Sequence, residues 1–225
     1  MRRSAVPPAQ PSVAAAFALA LLLVVSLSAC GLVGRAGEGP LTTETRQVTG
    51  FTRVDATNGI GVTVRIGQTT SVEVSAQANI LPIIATDVEG NTLTIHGTAG
   101  FNTSTGVGVT VVMPALAAIT LSGGSQGVVE GLDTDRFEIA LDGGADLTAT
   151  GTASVLTLRC SGGSSARLDA LAAETVNVQA SGGANVTLRA SNEVAGSAEG
   201  GAQVTVLGNA TLNVETSGGA SVTRG

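Results

Sequence analysis

Glycine pairs begin at Gly123, Gly143, Gly162, Gly182, Gly200 and Gly218, at spacings of 20, 19, 20, 18 and 18 residues. A period this regular marks a repeat architecture, in which each unit buries its apolar face only by stacking on its neighbours. Counting back two, four and six positions from each pair gives Leu121, Ile119 and Ala117, then Leu141, Ile139 and Phe137, then Cys160, Leu158 and Leu156. The next two units give Ala180, Val178 and Val176, and Ala198, Gly196 and Val194. Polar residues such as Glu138, Thr157, Arg159, Asn177 and Gln179 fall between them. Alternation with period two is what a strand with one buried face requires.

Beyond each pair the second position after its first glycine is small: Ser125, Ala145, Ser164, Ala184, Ala202 and Ala220. Inward positions follow at Leu147, Ala166, Val186, Val204 and Val222, so a second strand leaves each glycine corner. Two architectures accommodate strand, Gly-Gly, strand and loop. A two-residue glycine link is a hairpin signal, which keeps an antiparallel meander or barrel as the alternative. A meander gives no reason for every corner to match, whereas in stacked coils equivalent positions lie roughly 4.8 Å apart and like stacks on like. The expected fold is therefore all-β: a single-stranded, right-handed parallel β-helix, or solenoid, with coils of about 19 residues. Composition agrees, with 31 Gly, 2% aromatic and 12% charged residues in 225, because a narrow coil core takes Ala, Ser and Gly beside Val and Leu.

Residues 1–29 read as an export signal: Arg2 and Arg3 precede an uncharged apolar run from Val13 to Ala29. Leu27-Ser28-Ala29-Cys30 resembles the lipobox of bacterial lipoproteins, in which the thiol is acylated and becomes the new N-terminus. Cys30 is the expected lipid attachment site, and residues 30–45, rich in Gly with Pro40, are expected to be a lipidated flexible tether. Cleavage would leave 9 Arg against 17 acidic residues, a balance that disfavours nucleic acid as a partner. Cys160 would be the remaining thiol, so no internal disulfide is expected.

Residues 46–116 are β-patterned without the glycine clock, as in Val62-Thr63-Val64-Arg65-Ile66 and Leu93-Thr94-Ile95. Only Asn79 to Ala85 has a helical look, limited by Pro82. This region is expected to cap or start the solenoid, and 117–225 to form the Gly-Gly repeat β-helix. The C-terminal coil shows no obvious cap, which suggests a homo-oligomer formed through that end.

Gln47-Val48-Thr49-Gly50-Phe51-Thr52-Arg53-Val54, Met113-Pro114-Ala115-Leu116 and the serial Ser-Gly-Gly corners that begin at Ser122-Gly123-Gly124 resemble the putative auto-transporter adhesin head GIN domain family of exported bacterial proteins. The resemblance covers roughly residues 46–225. It implies a β-solenoid on a lipoprotein or secreted protein and brings no catalytic residues with it. Asp142 and Glu199 stand where the pattern has Ser.

Little in the chain suggests chemistry. His96 is the single histidine, so neither a Ser-His-Asp triad nor a multi-histidine zinc site can be assembled. Cys160 falls in an inward column, where a thiol behaves as a small hydrophobe. Gly143-Gly144-Ala145-Asp146 approaches a calcium-solenoid repeat, yet no neighbouring coil supplies a second Asp. No catalytic residue, metal site or cofactor is expected. The enzyme alternative is a β-helical polysaccharide lyase or hydrolase using Asp133, Asp135, Asp142, Asp146 and Asp169, near Arg136, Arg159 and Arg167. The leading expectation is a non-catalytic, lipid-anchored envelope protein whose polar solenoid meets an envelope protein or glycan. A purely structural envelope role is the third reading. The resemblance to bacterial lipoproteins, with Gly31 where an Asp often retains them at an inner membrane, implies display at the outer membrane or cell surface. Thr148, Thr187, Thr205 and Thr223 share an outward column, interrupted by Val128 and Arg167.

Overall fold

The computed structural model describes residues 34–225; the expected signal segment 1–29 and the expected lipid attachment site Cys30 lie outside the described residues. Arg35–Gly225 forms one compact unit. Its N-terminal part holds β1 (Arg35–Ala36), β2 (Leu41–Arg46), β3 (Arg53–Ala56), β4 (Gly61–Ile66) and β5 (Ser71–Gln77). After a 3-10 turn at Leu81–Ile83 come β6 (Ile84–Glu89), β7 (Thr92–Gly97), β8 (Phe101–Asn102) and β9 (Gly108–Met113). The repeats supply β10 (Ala118–Leu121), β11 (Gln126–Leu141), β12 (Asp146–Cys160), β13 (Ser165–Ala180) and β14 (Asn185–Ala198). The chain closes with β15 (Gln203–Leu207), β16 (Thr211–Thr216) and β17 (Ser221–Arg224).

From β10 to β17 every ladder is parallel, which decides for the solenoid and against the meander. The inward columns stack in the expected register: Ile119, Ile139, Leu158, Val178, Gly196 and Val214 lie one above another. So do Leu121, Leu141, Cys160, Ala180, Ala198 and Thr216. All but the last coil's members and Gly196 are buried. Bulk falls along both rows, since small residues in later coils fill a narrower interior without forcing off-rotamer side chains.

The segment expected as a loop between coils is continuous strand instead. β11, β12 and β13 run 15 or 16 residues and turn through register shifts, at Val129/Leu132 and Thr148/Gly151 among others. A bulge lets a strand bend while most of its ladder survives, so no separate loop is needed. Gly151, at φ 127, marks one such bend, where a Cβ would overlap the backbone of Leu132.

The N-terminal region joins the same rows. β7, β3 and β10 stack in parallel, placing Ile95, Ala56 and Leu121 in one column, and β9, β4 and β11 do likewise with Val109, Val62 and Gly127. Asn58-Gly59 turns this coil with φ of 65 and 72, directly beneath Gly123. Antiparallel strands then close the end: β6 on β7, and β5 on β9 with β2 outside it. At the opposite end Leu212, Val214, Ala220 and Val222 are only partly buried, whereas Val194 and Val204 beneath them are covered.

The tether expectation for residues 30–45 needs correction from Arg35 onward. Arg35 donates its backbone N–H to Gly100 at 2.7 Å and Gly37 to Asn102 at 2.8 Å. The Asn79 amide closes the clamp, donating to the Ala36 carbonyl and accepting from the Glu38 N–H, each at 2.7 Å. Leu41–Arg46 pairs with Arg46 opposite Val72 and Leu41 opposite Gln77. Glycines in this segment imitate a flexible linker, but Gly37 is there for close approach: a Cβ at this position would coincide with the carboxamide oxygen of the buried Gln77.

Candidate functional site

Each coil of the middle repeats presents three outward surfaces. The first strands carry Glu138, Thr157, Asn177 and, in the neighbouring row, Arg159, Gln179 and Ser197. After the glycine corner, Thr148, Arg167, Thr187, Thr205 and Thr223 form one row, which Val128, Thr63 and Thr110 extend into the N-terminal coils. Asp146 faces Arg167 on this surface at 3.9 Å, in the open, a geometry that contributes little to stability.

The third surface, after the bulged bend, is concave. Ala153, Ala173 and Ala190 stack with Thr134 and are themselves buried, forming a floor without bulk. One rim is the row Asp133, Thr152, Ala172 and Arg189. Asp135, Ser154, Glu174 and Ser191 follow the floor residues and, with Gly208 and Asn209 of the next coil, complete the lining of a groove of about 850 Å³. Asp133 accepts a hydrogen bond from the Thr152 hydroxyl at 3.0 Å, and Arg189 donates through Nε to the Asp169 carbonyl at 2.8 Å. Carboxylates, hydroxyls and one guanidinium are thus spread over four coils, roughly 14 Å at ordinary strand spacing. Such a lining can exchange hydrogen bonds with a polar, hydroxyl-rich ligand lying across the coils.

The five aspartates of the enzyme alternative do not come together. Asp133 and Asp135 line the groove; Asp142 sits at the glycine corner, accepting from the Ser161 hydroxyl at 2.6 Å; Asp146 belongs to the threonine surface. Among the described residues, no three His, Cys, Asp or Glu side chains lie close enough to share a metal ion. His96 is on β7 opposite Ala85, and its Nδ1 is buried without a partner. Cys160 is buried, and burial pushes its thiol pKa up to about 12, the nearby Ser164 hydroxyl acting in the opposite direction. A thiol so held stays protonated and is no nucleophile at neutral pH. Burial likewise raises the pKa of Asp55, in the outward row between Thr94 and Thr120.

Glu174, Arg189, Ser154 and Ser191 were not singled out in the sequence. A signal for them exists in the triplets Asp133-Thr134-Asp135, Thr152-Ala153-Ser154, Ala172-Ala173-Glu174 and Arg189-Ala190-Ser191, whose small central residue repeats with the coil. It is quieter than the glycine clock, because a bulge shifts the count by a residue or two between coils.

Parallel coils with polar outer rows and a shallow polar groove define a β-solenoid. The chain belongs to the family described as putative auto-transporter adhesin, head GIN domain, whose model matches residues 50–210. Similar solved structures include a putative adhesin from Bacteroides fragilis, 20% identical, with a TM-score of 0.70, over 85% of this chain and all of that one. A putative adhesin from Parabacteroides distasonis is 18% identical with a TM-score of 0.54, over 85% of this chain and 99% of that one. A protein described as a putative lipid binding protein from the same species is 13% identical with a TM-score of 0.52, over 84% and 98%. At such identities the likeness shows the fold. No curated protein matches the sequence.

Proposed function

We propose that this chain is an exported lipoprotein, held through an acylated Cys30, whose solenoid makes non-catalytic contacts with a hydroxyl-rich glycan of the cell envelope. The groove over Ala153, Ala173 and Ala190 carries the reading: its rims offer donors and acceptors in coil register, and its floor lets a polymer approach the backbone. The adhesin family supports surface display and a binding role. The lipobox Leu27-Ser28-Ala29-Cys30 supports anchoring.

The test is retention of the folded domain on immobilised envelope polysaccharide. Asp133→Asn combined with Glu174→Gln should weaken retention about tenfold or more, the loss of one or two charge-assisted hydrogen bonds. Asp142→Asn, at the glycine corner, should leave it unchanged. The enzyme alternative is left with Asp133 and Asp135, which both line this groove, and depolymerisation of an anionic glycan, abolished in Asp133→Asn, would replace the binding reading with it. No retention by any envelope fraction would leave a structural role.

A further inference from the structure

Because the body is clamped from Arg35 onward, very little chain is left to act as a tether. Between Cys30 and Arg35 lie only residues 31–34, and five Cα steps reach at most about 18 Å when fully extended. The point of attachment is at the closed end of the solenoid. Arg35–Ala36 pairs with Phe101–Asn102 of β8, and the chain runs directly into the outer cap strand β2. From β9 at this end to β17 at the other the parallel path crosses seven strand spacings, roughly 34 Å.

We propose that the capped end lies against the lipid surface, with Leu41 at the headgroup boundary, and that the open terminal coil is held away from it. The proposal rests on lipid attachment at Cys30. Two further features of that end suit a bilayer. Leu41, beside Pro40, is 60% exposed, the more exposed of the two large hydrophobic side chains that face solvent among the described residues; the other, Val128, is 37% exposed. It stands on an edge strand, where an apolar side chain gains by entering the interfacial zone. The charge is also unevenly placed. Residues 35–116 carry four Arg against six acids, whereas 117–225 carry five against eleven, so the end that must approach an anionic surface is the less repelled. Next to Leu41, Glu44 is neutralised by Arg46 at 2.8 Å.

The chain has no tryptophan, so single reporters can be placed without background. Leu41→Trp and Thr223→Trp are compared in the full-length, lipidated protein on phosphatidylcholine vesicles with brominated acyl chains. Quenching of Leu41→Trp should exceed that of Thr223→Trp about twofold or more, and a Gly/Ser insertion of about 15 residues after Gly34 should remove the difference. Equal quenching at the two positions, on vesicle-bound protein whose mass shows acylated Cys30, would overturn the proposal and leave anchoring intact. Absence of the acyl mass or of vesicle binding would overturn the anchoring reading and this proposal with it.

Discussion

Gly183 donates its backbone N–H to the carbonyl of Gly162 in the coil below, at 2.7 Å. The bond repeats from Gly201 to Gly182 at 2.7 Å and from Gly219 to Gly200 at 2.6 Å, so the corners form a continuous backbone ladder. Within each of these pairs the two glycines have different duties. Gly162, Gly182, Gly200 and Gly218 hold φ between 67 and 69, whereas Gly163, Gly183, Gly201 and Gly219 lie outside the left-handed region. The first glycine turns the chain; the second brings the N–H to its acceptor.

Gly182→Ala should therefore cost about 1–3 kcal/mol, since alanine is strained at this φ and its Cβ would come within 2.9 Å of the Gly162 carbonyl oxygen. Gly163→Ala meets no atom within 4 Å and should leave stability unchanged or raise it by up to about 1 kcal/mol through the unfolded chain. Urea unfolding of the two variants measures the contrast. Equal losses would mean that both positions of a corner require glycine.

Gly37→Ala should free the Arg35–Pro40 segment without melting the solenoid. Its Cβ would displace the Gln77 carboxamide, which accepts from the Thr103 hydroxyl at 2.6 Å, and the Asn79 clamp would open with it. Amide exchange at Gly37 and Glu38 should accelerate at least about tenfold while the β12 and β13 amides stay protected, the behaviour of a local unfolding unit. Uniform acceleration would show instead that the clamp supports the whole body.

The coil columns from Ile119 to Val222 could be read from the sequence because stacked parallel strands demand the same residue class at the same phase, and Gly-Gly fixed that phase; Ala117, expected inward, is only half-buried, and its neighbour Ala118 is the buried one. Asn58-Gly59 stacks beneath Gly123 but is hidden from the glycine count, since Asn also adopts left-handed backbone and breaks the glycine pattern. The strands at Arg35–Ala36 and Leu41–Arg46 hid for another reason. They are edge strands with most side chains in solvent, so they leave no apolar alternation, and Gly37 and Pro40 imitate a linker. The groove was illegible because concavity arises from how Ala153, Ala173 and Ala190 stack across coils, a relation that bulges remove from simple counting.

Arg53 reaches past Ala118 to Glu138, two strands away, at 2.8 Å, and looks like a staple between the N-terminal coil and the first repeat. Both side chains are substantially exposed, at 40% and 52%, and exposed pairs stabilise by less than about 1 kcal/mol. Arg53→Ala should shift the melting temperature by no more than a few degrees, with the shift vanishing in high salt. A larger loss would mean that the arginine stem packs over Ala118 and contributes by burial.

Cys160 gives the fold a pH dependence in the alkaline range. The unfolded thiol loses its proton near its ordinary value of 9.0, while the folded one keeps it until about 12. Between those values the native state binds the extra proton, so stability must fall as pH rises, by a few kcal/mol in all at 1.4 kcal/mol per unit. Cys160→Ala should remove this decline at a cost of about 1 kcal/mol near neutrality, because its neighbour in the row, Ala180, shows that the core accepts the smaller side chain. Unfolding curves from pH 8 to 11 for both proteins measure the difference. Parallel curves would show that the thiol ionises alike in the two states, and rapid modification of the folded protein by a thiol reagent would agree with that result.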